Sequence, residues 1–359
     1  MTLFEPSPRS TNIAMNSFGI PSPSAGSVLR LGIIGFGHIG RIHAESAARV
    51  AGVELVAVGT SRPDDARSIC GPAVAIYPNY SEVLHHPGLD AVVICVPTHL
   101  HEQFVVEALR RGLAVLCEKP FALDAAAAQR MLDAARRSQR CLMIAQVLRF
   151  WPPYVQIKQL VASGAIGSVQ AVAAYRLAQY PPWGVWFRDP NQSGGALLDM
   201  QVHDADFVYW LLGPPQEVYA AGLQSSTGSW DQVTTLLRYP NAVASMEATY
   251  LMPQSWPFSC GIRVTGSSGC LEFSFRVAGN VEKRNQAESR LLLYAKDGSI
   301  TEPAAASDDM YAAQLGYFAE CVTHGRPPAQ CPPEETVEVM KIMGACRQSL
   351  ASQTPVRLP

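Results

Sequence analysis

Four side chains able to hold or move a proton, Asp199, His203, Asp204 and Asp206, fall within eight positions of SGGALLDMQVHDADF, residues 193–207. The stretch otherwise reads as a helix entering a core. On a helix Asp199 and His203, four residues apart, share a face, and Asp206 lies one turn beyond. An imidazole titrates near pH ~6.5 and is mostly neutral at pH 7, so His203 suits a general base. Asp199 would orient the imidazole or a substrate, and Asp206 could tune the ring. The same spacing also puts three metal ligands on one face. No second ligand cluster accompanies them in the sequence, so no metal is expected. A purely structural reading of the cluster, acids favoured by the dipole near a helix start, is the other alternative, and Asp204, on another face, fits a structural or solvated role.

Such residues need elements to hold them. From Leu29 the strand-like runs LRLGIIGF, ELVAVGT, AVVICVPT and LAVLCEKP alternate with helical segments such as GRIHAESAARV and EQFVVEALRRG. That alternation is the signature of βαβ units and a parallel sheet. A helix capped by Asp124 and a strand CLMIAQVL complete this α/β unit, expected over residues 29–150 as a Rossmann dinucleotide-binding domain. After Pro152 and Pro153 the helix YVQIKQLVASG leads into seven strand-like segments with only turns between them, from SVQAVAAYRLAQY to RLLLYAK. Consecutive strands imply a largely antiparallel sheet. Two helical segments, around 309–324 and 333–350, close the second unit, expected over residues 151–359 as the α+β substrate-binding part.

The first strand opens into LGIIGFGHIGRIHAESA, where Gly35, Gly37 and Gly40 form GxGxxG, with Phe36, His38 and Ile39 between them. After a strand and before a helix the glycines have physical roles: a tight turn, backbone approach to a pyrophosphate, and close helix packing. The helix N-terminus then offers free N–H groups to phosphate. The second strand ends in VAVGTSRPDDA. An NAD-preferring site would carry an acid there, whereas this chain has Thr60, Ser61 and Arg62, and Asp64 and Asp65 come too late. Ser and Arg can bind and neutralise a 2′-phosphate. NADP(H) is therefore favoured, with NAD(H) possible; the bland alternative leaves Arg62 as a solvated loop cation.

Strand C-termini are where open α/β sheets bind ligands. CVPTHLH (95–101) brings Pro97, Thr98 and His101 there, and CEKP (117–120) brings Glu118 and Lys119. Together with SGGALLDMQVH these motifs resemble the Gfo/Idh/MocA family of NAD(P)-dependent oxidoreductases. The resemblance runs from Leu29 to the end, including GAIGSV at 164–169. It implies an N-terminal Rossmann domain, a C-terminal domain with an open-faced, mostly antiparallel sheet, and a homo-oligomer built through that sheet. It also implies Lys119, Asp199 and His203 as catalytic residues, with Glu118 and the PTHLH loop near the cofactor. Two departures stand out: Gln201 replaces a Gly common in relatives, which would alter the helix surface at the substrate, and the acid after the second strand is missing.

Oxidising a secondary alcohol needs a base, here His203, and a cation for the developing alkoxide, here Lys119. Substrate contacts are expected from Trp183, Trp186 and Arg188 in YPPWGVWFRDPNQSGG and from Arg149 in VLRFWPPY, near Trp151. Aromatic faces stack on sugars and cyclitols, and Arg binds hydroxyl, carboxylate or phosphate groups. The structural alternative is that the Trp residues seal an interface and Arg149 braces the sheet. The reading is a dehydrogenase or reductase acting on a sugar, cyclitol or sugar derivative. Alternatives are a glycosidase that retains its nicotinamide and uses transient oxidation, and a non-enzymatic cofactor-binding sensor.

Composition agrees. In 359 residues, 48% are hydrophobic, 16% are charged and the net charge is −2, with no basic stripe for nucleic acid. No apolar run approaches the roughly 18 residues of a membrane span. Residues 1–28 are rich in Ser and Pro and lack the features of a secretion signal, so a flexible tail is expected. Nine cysteines form no CxxC pair, and several lie in apolar strand-like runs. Buried reduced thiols and a cytoplasmic location follow as the expectation.

Overall fold

The computed structural model describes residues 28–182, 184–277, 287–304 and 309–359. The expected N-terminal tail, apart from Val28, and Trp183 lie outside the described residues. Six strands form the first sheet: β1 (Leu29–Ile34), β2 (Val53–Gly59), β3 (Ala75–Tyr77), β4 (Ala91–Ile94), β5 (Ala114–Cys117) and β6 (Leu142–Ile144). All pairs are parallel and the order is β3-β2-β1-β4-β5-β6. Strand order reverses between β1 and β4, which opens a crevice at their C-terminal ends. Helices α1 (His38–Ala47), α2 (Pro63–Cys70), α3 (His101–Arg110) and α4 (Ala125–Ser138) connect the strands.

All four residues of β4 are buried because helices cover both faces of the sheet. Leu31, Ile33, Val93 and Leu116 pack on one side with Ala44 of α1, while Ile94 and Val115 pack on the other with Phe104 of α3 and Met131 of α4. Asp124 caps α4, its side chain accepting from the Ala127 amide at 2.8 Å. The strand expected over CLMIAQVL is shorter: β6 ends at Ile144 and a 3-10 turn follows at Val147–Phe150. The three residues of β3, half-buried at the sheet edge, were too short a run to stand out as a strand.

Helix α5 (Pro152–Ala162) leads to the second sheet. Its strands are β7 (Val169–Leu177), β8 (Glu217–Gln224), β9 (Trp230–Arg238), β10 (Val243–Thr249), β11 (Phe258–Gly266), β12 (Gly269–Val277), β13 (Glu288–Ala295), β14 (Ile300–Thr301) and β15 (Val356–Arg357). The order is β14-β13-β12-β11-β7-β10-β9-β8-β15, antiparallel except where β7 meets β10. Burial along β9 alternates, so one face is covered and the other faces outward. Between β7 and β8 run α6 (Pro190–Ser193), α7 (Gly195–Asp199) and α8 (Gln201–Leu212). The closing helices diverge: α9 (Met310–Thr323) lies on α1, and α10 (Pro333–Ser352) packs against α4, α8 and β8.

Candidate active site

A cleft of about 740 Å³ lies at the C-terminal edge of the first sheet, where the second sheet's inner elements meet it. Gly35, Phe36, Gly37, His38 and Ile39 line it where β1 turns into α1. Gly37 is the N-cap of α1 and, as a glycine, has no side chain with which to cap the helix. A Cβ on Gly37 would meet nothing within 4 Å. An open backbone beside an uncapped helix start fits a dinucleotide's phosphates. Gly40 serves packing instead. A Cβ there would lie 2.1 Å from the Gly35 carbonyl oxygen, so only glycine lets α1 close on the turn, and Gly40 does not line the cleft.

Thr60, Ser61 and Arg62 line the far end after β2, and the Thr60 hydroxyl accepts from the Arg62 amide at 3.0 Å. Arg62 is exposed, with Nε 3.8 Å from Asp65 in the first turn of α2. Pro97 and Thr98 follow β4 on the cleft wall. His101 does not join them, which corrects the cofactor assignment. It is 1% exposed, and its ring nitrogens lie 2.9 Å from the Pro120 carbonyl and 3.0 Å from that of Val96. The helix phase at the start of α3 turns the ring inward, where it ties the two strand-end turns together. Tyr80 and Tyr311 complete this part of the wall. No local signal marked either residue, because they arrive from remote parts of the chain.

At the other end stand Lys119, Asp199, His203, Arg176 and Tyr250. Glu118 fixes the turn that carries Lys119. Its Oε1 lies 2.8 Å from Nε2 of the buried His43, and its Oε2 accepts from the Lys119 amide at 3.1 Å. Lys119 Nζ donates to Asp199 Oδ1 at 2.7 Å and to the Asp199 main-chain carbonyl at 2.9 Å. The Tyr250 hydroxyl donates to Asp199 Oδ2. Burial raises the Tyr250 phenol well above its usual range, and the Asp199 carboxylate adds to the rise, so it remains a donor. Asp199 is therefore committed to Lys119 and Tyr250, not to the imidazole as helix spacing suggested.

The physical reason is a break in the helix. Met200 (φ −100°, ψ −55°) separates α7 from α8. A side chain that takes a main-chain carbonyl, as Lys119 takes that of Asp199, is an intrusion that interrupts helices. His203 stands on the next helix, half-buried, with Nδ1 enclosed and unpartnered among the described residues, which leaves Nε2 open to the cleft. Burial first, then the Lys119 and Arg176 charges, hold the imidazole well below its usual range. The ring is neutral and able to accept a proton.

The remaining polar residues of α8 turn away. Asp206 forms a bidentate pair with Arg149, Oδ2 accepting from Nε at 2.9 Å and Oδ1 from Nη2 at 2.8 Å. It does not tune His203. Arg149, assigned to substrate from the sequence, is wholly buried and also donates to Glu335 Oε2 at 2.5 Å, so it braces the turn after β6 against α8 and α10. Gln201 faces the sheet and not the substrate. Its Oε1 accepts from Thr235 Oγ1 at 2.7 Å, and its Nε2 reaches the Met246 carbonyl at 3.2 Å. Gly195 likewise serves packing, since a Cβ there would lie 2.5 Å from Ser229 Oγ and its φ is +69°. With Asp199 and Asp206 each held by a cation, the metal face that helix spacing allowed does not form. Among the described residues no group of three or more His, Cys, Asp or Glu is placed to hold a metal.

Trp186 lines the cleft, stacked on Phe187 at 4.0 Å between centroids, and Trp151 lines it beside Phe275. Arg188 is not on the wall: its guanidinium lies 4.1 Å over the Tyr180 ring, which stacks on Tyr250 at 4.7 Å. Arg176 was missed, although a signal existed. It is in phase with Val172 and Ala174, the buried positions of β7, so a charge there points inward. No helix among the described residues is long and apolar enough to cross a membrane.

Residues 29–146 match the family model described as an oxidoreductase family with an NAD-binding Rossmann fold, and residues 154–272 match the GFO/IDH/MocA C-terminal domain. The chain is 30% identical over 338 residues to D-xylose 1-dehydrogenase (NADP(+)) 2 of Haloferax volcanii, covering 92% of this chain and 100% of that one. It is 27% identical to the myo-inositol 2-dehydrogenase of Thermotoga maritima, covering 92% and 98%. Among solved structures, the aldose-aldose oxidoreductase of Caulobacter crescentus complexed with glycerol superposes with a TM-score of 0.80 at 22% identity, covering 92% and 100%.

Proposed function

Because the chain belongs to the Gfo/Idh/MocA family of NAD(P)-dependent oxidoreductases, dehydrogenases that act on alcohol groups, we propose that it interconverts a secondary alcohol and a ketone on a sugar, cyclitol or sugar derivative. The observation that carries this reading is one cleft with an uncapped helix start at one end and a neutral imidazole beside the Lys119–Asp199–Tyr250 network at the other. A bound nicotinamide supplies the hydride acceptor or donor. His203 takes the hydroxyl proton at Nε2, and Lys119 holds the reacting oxygen as negative charge develops. Asp199 fixes the Lys119 ammonium at two points, with Tyr250 holding its second carboxylate oxygen, so the cation is aimed before substrate arrives. Trp151 and Trp186 offer apolar faces that suit the C–H faces of a polyol.

NADP(H) is the favoured cofactor, since Thr60, Ser61 and Arg62 supply donors and a positive charge where an acid would repel a 2′-phosphate; NAD(H) is the alternative. Self-association is proposed through the outward face of the second sheet, where Tyr219, Leu223, Leu236 and Val243 are exposed. The functional test is a panel of polyols, sugars and sugar phosphates with both cofactors, read as nicotinamide absorbance. On the substrate so found, His203→Ala lowers turnover by about 10²-fold or more and spares cofactor affinity. Wild-type rates in that variant reject the base assignment.

A further inference from the structure

Two buried arginines grip α8, and they do different things. Arg149 holds Asp206 away from the cleft. Arg176, on β7, is 5% exposed and lines the cleft itself. Its Nη2 donates to Asp204 Oδ1 at 2.9 Å and its Nε to Asp204 Oδ2 at 3.3 Å. Asp204 directly follows His203, so this clamp acts on the helical turn that carries the imidazole. A bidentate grip resists rotation of that turn in a way one hydrogen bond does not.

We infer that Arg176 is a positioning residue for His203: through Asp204 it fixes the turn of α8 from which the imidazole reaches the cleft, and it sets a fixed positive charge beside the ring. The inference rests on the reading of His203 as the base. Around the same wall the charged and titratable groups are Lys119 after β5, Asp199 ending α7, Tyr250 after β10 and Arg176 on β7, with Asp204 bonded to Arg176 and Tyr154 and Cys260 near it. Lys119 is paired with Asp199 and Arg176 with Asp204, and both cations oppose protonation of the ring, Lys119 first and Arg176 second. The consequence is a base that stays unprotonated in mildly acidic solution, held in one orientation.

The test follows His203 directly. Imidazole NMR signals of the cofactor-free protein are titrated, with the His203 signal assigned by its loss in His203→Asn. Arg176→Gln removes the charge and keeps a donor for Asp204; the His203 titration is expected to rise by about half a pH unit or more. The acid limb of kcat/KM for alcohol oxidation should rise with it, because oxidation fails once the base is protonated. Arg176→Lys should return both towards wild type. Asp204→Asn keeps the cation without its counter-charge, so it should move the acid limb down, and it serves if Arg176→Gln does not fold. An unchanged titration in the folded Arg176→Gln, or an unchanged acid limb in Asp204→Asn, overturns the inference. Undiminished turnover in His203→Asn overturns the base reading instead, whatever the Arg176 variants do.

Discussion

Lys119 reaches Asp199 twice, at the carboxylate and at the main-chain carbonyl, so one ammonium both neutralises a charge and ends a helix. Tyr250 takes the second carboxylate oxygen. Each contact removes a freedom from Lys119, and the group proposed to hold the reacting oxygen becomes a constrained cation. Arg62 is the opposite case, exposed and held, among the described residues, by Asp65 at 3.8 Å. A cation so lightly tied can turn to a phosphate at little cost. Arg62→Ala is expected to weaken NADP(H) binding about tenfold or more, as for a lost charge-assisted hydrogen bond, and to leave NAD(H) binding nearly unchanged. Titration calorimetry with both cofactors decides it; equal losses reject the 2′-phosphate argument.

At the scale of elements, the break between α7 and α8 governs where the site's side chains point. A continuous helix would have put Asp199, His203 and Asp206 on one face. The interruption at Met200 instead gives Asp199 to Lys119 and lets α8 turn its acids towards two buried arginines. Gln201, the first residue of α8, seats that helix on β9 and β10 through Thr235 and the Met246 carbonyl. Gln201→Ala removes these buried hydrogen bonds, leaving the Thr235 hydroxyl only its 3.9 Å contact to Cys346 Sγ, and is expected to destabilise the protein by about 1–3 kcal/mol in urea unfolding, with KM for substrate little changed. A raised KM at full stability would return Gln201 to the substrate surface, where its place in the motif first suggested it.

At the scale of the molecule, the two sheets meet through α8, α10 and the turn after β6, with Arg149 binding Asp206 and Glu335 at that junction. Among the described residues nothing covers the outward face of the second sheet around Tyr219, Leu223, Leu236 and Val243. On it Tyr219 is paired across the strands with Leu236, and Leu236 is 45% exposed. Leu236→Glu places a charge in the proposed self-association face and is expected to shift the particle to a smaller mass by light scattering, without loss of thermal stability; an unchanged mass rejects that face. The sequence by itself determined the sheet class, the GxGxxG turn and the strand-end positions of Lys119 and Thr98. These follow from periodicities of two and 3.6 and from glycine's missing Cβ, all of which are local. Only the tertiary structure decided partners: that Asp199 belongs to Lys119 and Tyr250, that Arg149 and His101 are buried braces, and that Arg176 faces the cleft. Ion pairs and carbonyl contacts in a low-dielectric interior form between residues tens to hundreds of positions apart. Their energies depend on which elements pack together, and that is information no local pattern contains.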